Sequence, residues 1–434
     1  MKSLVKQSQL YFIFSFAALM LIGTLVLKMP FCYRGTDALS WSDAAFVSTS
    51  AVSVTGLTSV PVSQFTLAGQ MILLFMVQIG GIGIMTLTAS IVLFLGKGMS
   101  FGNTMMMSNL SDRFSFRNTE GLLKTVISYT FNIEAVGAIL LIGAFMLENK
   151  FTFLECCYYG IFHSISGFCN AGFSPFDNSL QDFGPAIKLI VAFLIIAGGI
   201  GIYVIYDITH TRRKMALLQI HTRLVVISSL ILIVTGTVLI KLFEHLEGNE
   251  PIAWVDAFFM SVSSRTAGYF TVPLSELSPN TISMIIIFMM IGAAPGSTGG
   301  GMKVTVVGVA VLAIINTFLG NSRVLLFRRE IAMDNILKSF TIIVTFVLLV
   351  AGGAAVLSPM LAYSEQAVWF EAASALSTTG LSMDVTGALP TPAKMLIIVF
   401  MFLGRIGPFT IFLFLLDRER VSRISYPEER IIIG

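Results

Sequence analysis

The chain has 434 residues, of which 55% are hydrophobic and only 12% charged, with a formal net charge of +3. Soluble domains carry about 25% charged residues, so these charges could not cover the surface of a water-soluble protein of this length. The composition places the chain among polytopic membrane proteins, with no stretch left over for a separate soluble domain.

Taken in chain order, apolar stretches of roughly 20 residues predict membrane spans over 9–29, 71–95, 126–147, 185–206, 224–243, 281–317 (interrupted), 339–359 and 392–416. The first follows a short leader without a clean small-residue cleavage site, so it is expected to remain a helix of the mature protein. After it, Asp43 follows Trp41-Ser42 where a carboxylate caps free N–H groups and suits the helix dipole. Residues 44–53 then offer roughly 15 Å of helix, half a bilayer. Equivalent half-length helices are expected over 155–169, 254–265 and 369–377, with serines recurring at their ends. The expected fold is an all-α polytopic membrane protein: eight transmembrane helices and four re-entrant pore helices in four M1-P-M2 repeats. Their bounds are 1–96, 97–207, 208–320 and 321–434.

Charge sets the orientation. The segments 1–8, 97–124, 207–223, 318–338 and 417–434 hold 18 Lys and Arg, and the opposite loops hold 6. This asymmetry predicts cytoplasmic N- and C-termini. The outer loops hold 14 Asp and Glu, which would raise the local concentration of cations. Cys32, Cys156, Cys157 and Cys169 show neither metal-ligand spacing nor a disulfide framework and read as small apolar packers.

One phrase is written four times: Val54-Thr55-Gly56-Leu57, Asn170-Ala171-Gly172-Phe173, Thr266-Ala267-Gly268-Tyr269 and Thr378-Thr379-Gly380-Leu381. Its glycines lie 116, 96 and 112 residues apart, each between a half-length helix and a long apolar stretch. Extended backbone at membrane depth is tolerated where it is buried in protein or lines water. Gly at the turn lets successive carbonyls aim one way, and four such strands can make rings of oxygens that replace an ion's hydration shell.

A weaker repeat marks the inner helices: Ile79-Gly80-Gly81-Ile82-Gly83, Ala197-Gly198-Gly199-Ile200-Gly201 and Leu403-Gly404-Arg405-Ile406-Gly407. Its small residues permit close approach or bending. In the third unit the place is taken by residues 292–301, with five glycines and a proline, which should break the helix in mid-membrane. A phosphate-binding loop is excluded there, because Met302 separates Gly301 from Lys303 and the G-K-[ST] element is missing. Arg405, deep in the last inner helix, should face the pore or a partner and is expected near the 292–303 loop as an electrostatic brake on cations. Arg265 is expected to point behind its strand to Glu371 or Glu134.

With these motifs, and with Pro-Gly-Ser-Thr-Gly-Gly-Gly-Met-Lys at 295–303, the chain resembles the Trk/Ktr/HKT superfamily of potassium transporters over essentially its whole length. It looks most like the compact bacterial KtrB/NtpJ branch, since its first unit starts at residue 9. The resemblance implies a pseudo-fourfold pore for potassium uptake across the cell membrane. It also implies a homodimer seated on a cytosolic KtrA-like nucleotide-binding ring. It assigns the ion sites to backbone oxygens of Val54, Thr55, Gly56, Asn170, Ala171, Gly172, Thr266, Ala267, Gly268, Thr378, Thr379 and Gly380. The gate falls to Gly296, Ser297, Thr298, Gly299, Gly300, Gly301 and Lys303, with Arg405. K+ is the expected cargo, Na+ a second candidate ion, and no organic cofactor or nucleic acid is expected.

Two other functions compete. A sodium-coupled alternating-access carrier would use inverted repeats, whereas these four units share one orientation. An enzyme is not expected, because His163, His210, His221 and His245 are scattered and no carboxylate pair has catalytic spacing. The tail, Tyr426 to Arg430 followed by Ile431-Ile432-Ile433-Gly434, ends in an apolar segment suited to docking at a dimer interface or on its own chain.

Overall fold

The computed structural model describes residues 2–35, 38–96, 119–210, 218–249, 251–321, 323–327 and 329–407. The tail at 426–434 and the end of the last expected span, 408–416, lie outside the described residues, as does much of the basic sequence expected to be cytoplasmic. Among the described residues there are fourteen α-helices. They are α1 Lys2–Leu27, α2 Trp41–Ser53, α3 Leu67–Gly96, α4 Thr119–Leu147, α5 Phe153–Phe168, α6 Pro185–Gly199, α7 Ile202–His210, α8 Ile220–Leu246, α9 Trp254–Ser263, α10 Pro279–Met290, α11 Val304–Phe318, α12 Met333–Leu357, α13 Glu365–Ser377 and α14 Thr391–Ile406.

Local chemistry fixes the starts of the short helices. Ser40 caps α2 by accepting the Asp43 N–H. Thr152 and Glu155 form a reciprocal capping box on α5. Ser364 accepts the Ala367 N–H, so α13 begins at Glu365, four residues before the expected start. At 10 to 16 residues, these helices reach about 15–24 Å, short of a hydrocarbon core of about 30 Å. Among the described residues three helices, Lys124–Leu147, Ile220–Leu246 and Met333–Met360, are long and apolar enough to cross a membrane. The pair Pro185–Gly199 and Ile202–Thr209 adds a fourth as one bent span, while Ile13–Leu27, Leu67–Gly83, Pro279–Met290 and Val304–Phe318 are apolar but shorter.

Two inner helices break. The third parts at 291–303 as expected, its two legs meeting where Gly292 N–H donates to Met302 O (2.8 Å) and Met302 N–H to Met290 O (3.0 Å). The second was expected to run unbroken over 185–206, yet it bends by 89° between α6 and α7. The cause is Gly201, with φ +87°, a backbone state a helix cannot contain. After the bend α7 runs to His210, past the expected unit boundary at 207. A short antiparallel hairpin, β1 Leu325–Leu326 with β2 Arg329–Glu330, joins α11 to α12.

The helix that follows each repeated phrase packs against the next short helix in the chain, the last returning to the first: α3 on α5, α6 on α9, α10 on α13 and α14 on α2. Polar links join these pairs, two of them ionic. Lys188 Nζ pairs with Asp256 Oδ1 and Lys394 Nζ with Asp43 Oδ1, each at 2.6 Å. In the neutral pairs Tyr158 donates to Gln70 Oε1, and Gln366 Nε2 donates to Pro279 O at 2.7 Å. The short helices are thereby held in a closed cycle, with their C-terminal ends buried at the centre.

Candidate functional site

The four repeated phrases follow the C-termini of α2, α5, α9 and α13 and share one backbone design. The first residue of each is left-handed: Val54 (φ 56°), Asn170 (59°), Thr266 (70°) and Thr378 (51°). This conformation ends a helix. The second residue folds back, with Thr55 N–H donating to Ser50 O, Ala171 N–H to Ser166 O and Thr379 N–H to Ser374 O, all at 2.8 Å. Ala267 N–H donates to Ser263 O at 2.9 Å. Helix-end serines hold the later residues of each phrase. Ser50 Oγ accepts the Gly56 N–H (3.0 Å) and Ser374 Oγ the Gly380 N–H (3.1 Å). Ser166 Oγ and Ser263 Oγ donate to Phe173 O (2.8 Å) and Tyr269 O (2.5 Å).

The glycines close the four turns on one another. A Cβ built on Gly56 would lie 2.4 Å from Ala171 O, and one on Gly172 would lie 2.8 Å from Ala267 O. One on Gly268 would lie 2.5 Å from Thr379 O, and one on Gly380 2.1 Å from Thr55 O. Contacts run from the first phrase to the second, third and fourth and return to the first. All four glycines line one cavity of about 250 Å³, whose rim includes Asp177 and Asp384. In the loop between α4 and α5, Glu148 accepts the Gly184 N–H (2.8 Å) and pairs with Lys150, which together hold its carboxyl below the usual range.

The 292–301 loop lies against the opposite side of this ring. A Cβ on Gly299 would meet Thr266 Oγ1 at 2.5 Å, and one on Gly300 would meet Thr378 Oγ1 at 2.0 Å. Ser297 and Thr298 are fully buried. Thr298 Oγ1 donates to Phe168 O (3.0 Å) and Lys303 Nζ to Gly299 O (2.7 Å). Arg405 is buried and donates from Nη1 to Thr298 O (2.6 Å) and from Nη2 to Gly80 O (2.9 Å). The glycine motifs of the inner helices meet short-helix carbonyls. Built Cβ atoms on Gly80, Gly198 and Gly404 would lie 2.1, 1.8 and 1.9 Å from Val52 O, Phe168 O and Leu376 O. Close approach accounts for Gly80, Gly198 and Gly404, and bending for Gly201.

Arg265 requires a correction. Neither expected partner binds it: Glu371 accepts from Thr386 Oγ1 and Glu134 from Gln78 Nε2 at 3.0 Å. The Arg265 side chain is buried, and its Nε has no hydrogen-bond partner among the described residues. Each carboxylate instead takes one uncharged donor and keeps its other oxygen buried without a partner among the described residues, which sequence spacing does not reveal. The pairs Lys188–Asp256 and Lys394–Asp43 were not anticipated from the sequence either. Their signal is a shared position: the lysine stands fourth in its inner helix and the aspartate third in its short helix.

The family described as "TrkH: Cation transport protein" matches residues 13–422. The chain is 35% identical to the Ktr system potassium uptake protein B of Vibrio alginolyticus, across 97% of this chain and 93% of that protein. It is 33% identical to the protein of that name from Bacillus subtilis, across 95% and 94%. It is 31% identical to the potassium/sodium uptake protein NtpJ of Enterococcus hirae, across 96% and 95%. Among solved structures, the potassium transporter TrkH from Vibrio parahaemolyticus matches its fold with a TM-score of 0.71 at 20% identity, covering 95% of this chain and 85% of that one. The chain therefore belongs to the TrkH family of membrane cation transport proteins and is similar within it to the KtrB and NtpJ proteins.

Proposed function

We propose that this chain carries potassium ions into the cell through a gated pore on the axis of four M1-P-M2 units. The observation that carries the reading is the closed cycle of turns, in which each glycine's missing side chain is replaced by contact with the next turn's carbonyl oxygen. Backbone oxygens of Val54, Thr55, Gly56 and their counterparts at 170–172, 266–268 and 378–380 supply the ion sites. Carbonyl dipoles and four helix C-terminal ends directed at one axis favour a cation. Potassium is chosen because the similar proteins are named for potassium uptake, and sodium remains a second ion because NtpJ is named for both.

Residues 296–301 with Lys303 and Arg405 form the gate. The loop stands across the axis beneath the filter, and two cationic side chains, Arg405 buried and Lys303 half-buried, bond to its carbonyls. The resemblance extends the reading to a homodimer in the cell membrane, with both termini cytoplasmic, set on a KtrA-like nucleotide-binding ring. Units of one orientation around one axis support a pore over an alternating-access carrier.

Purified protein in liposomes tests this. A potassium gradient should produce a membrane potential that tracks the gradient, and potassium flux should exceed sodium flux. Obligatory, saturating exchange of potassium against sodium would overturn the pore and leave the carrier.

A further inference from the structure

The break in the second inner helix contributes no residue to the proposed gate, yet its geometry complements that gate. A helix end leaves carbonyls without partners, and a helix start leaves N–H groups without partners. At membrane depth such groups must be satisfied by protein. The end of α6 exposes Gly198 O and Gly199 O, and the start of α7 exposes the Ile202 N–H. The loop at 292–301 meets all three: Thr298 N–H donates to Gly198 O (3.2 Å), Ala294 N–H to Gly199 O (3.0 Å), and Ile202 N–H to Gly296 O (3.0 Å). An unbroken helix over 198–202 would use these groups internally and offer the loop nothing. The two broken inner helices satisfy each other.

We propose that the α6–α7 elbow is the seat on which the gate closes: the loop opens by parting from Gly198, Gly199 and Ile202. The inference rests on the loop's being the gate. Gly201 makes the seat. Its φ of +87° turns the chain, and a Cβ there would lie 2.5 Å from Pro295 O, inside the loop. Beyond the turn, α7 is fastened to the start of α8, where Asp207 Oδ2 accepts the Gln219 N–H (2.9 Å) and the Thr222 hydroxyl (2.6 Å). The elbow is thus anchored to α8 by bonds that do not involve the loop. It stays in place while the loop moves, which makes these three backbone groups positioning elements for the closed state.

A cross-link tests the seat. A Cβ built on Gly199 lies 3.6 Å from Ala293 Cβ, within the range a disulfide accepts, and Gly199 has no positive φ to forbid a side chain. The double variant Gly199→Cys/Ala293→Cys should conduct when reduced. On oxidation with copper phenanthroline, potassium flux in liposomes should fall to the level of liposomes without protein, and dithiothreitol should restore it. Each single variant controls for bonding to native cysteines and should be indifferent to oxidation. Gly201→Ala, which pushes on Pro295, should conduct faster than the unsubstituted protein. Failure of the pair to cross-link, measured by loss of maleimide-reactive thiol, overturns the inference. So does a cross-linked protein that conducts as the reduced one does. Deletion of Gly296–Gly301 separates the two levels. If it leaves flux unaltered in correctly inserted protein, the gate reading itself fails. If it raises flux while the cross-link changes nothing, the gate stands and only the seat fails.

Discussion

Gly56 shows what one residue contributes to the ring. Its φ of +97° is a conformation that side chains with a Cβ adopt only under strain, and that Cβ would stand 2.4 Å from the Ala171 carbonyl oxygen. Serine at this position must rotate the peptide or push Ala171 O aside, and either change would spoil the proposed ring of ion-binding oxygens. Gly56→Ser should therefore lower the preference for potassium over sodium by roughly tenfold, equivalent to about 1.4 kcal/mol, with the protein still inserted. Paired potassium and sodium flux measurements read this directly, and an unchanged ratio would remove Gly56 from the filter. The repeated phrase made these residues legible, because a positive φ in four equivalent places demands glycine and leaves a visible mark. Arg265 was not legible in the same way. A buried cation announces the need for a partner but not its identity, and Glu134 and Glu371 have other donors.

At the scale of elements, the half-length helices were predictable from length and capping, whereas the links that hold them in a cycle were not. Lys394 and Asp43 lie 351 positions apart, and their equivalence to Lys188 and Asp256 shows only once the helix starts are known. Their side chains are only 12% and 15% exposed, so removing one partner leaves a charge poorly solvated. Lys394→Met should destabilise the purified protein by about 3 kcal/mol, while Lys394→Met with Asp43→Leu should cost clearly less. A double-mutant cycle of thermal unfolding in detergent measures the difference, and additive losses would show that the pair does not couple α14 to α2. The α6–α7 break escaped the sequence for a related reason. Its Ala-Gly-Gly-Ile-Gly text matches the close-packing glycines of α3, and only contact with Pro295 and Gly296, nearly a hundred residues away, makes a turn there favourable.

At the scale of the whole molecule, the proposed orientation sets acidic residues at the mouth of the ring. The ring's outer cavity is rimmed by Asp177 and Asp384, with Asp177 Oδ1 accepting from Ser63 Oγ at 2.7 Å. In the proposed orientation an arriving cation meets these carboxylates before it meets any carbonyl of the filter. A pair of negative charges in a narrow mouth raises the local cation concentration, and it does so by long-range attraction that salt weakens. The effect belongs to capture from solution, not to selection, because the proposed filter oxygens lie deeper. Asp177→Asn with Asp384→Asn should therefore reduce potassium flux by roughly two- to fivefold at an ionic strength of about 0.01 M, where the screening length is about 30 Å. In about 1 M of an impermeant salt, where that length is about 3 Å, the variant and the unsubstituted protein should converge. The potassium-to-sodium ratio should be the same in both. A deficit that persists undiminished at high salt would mean that these carboxylates hold the filter's shape, and a changed ratio would place them among the selecting groups.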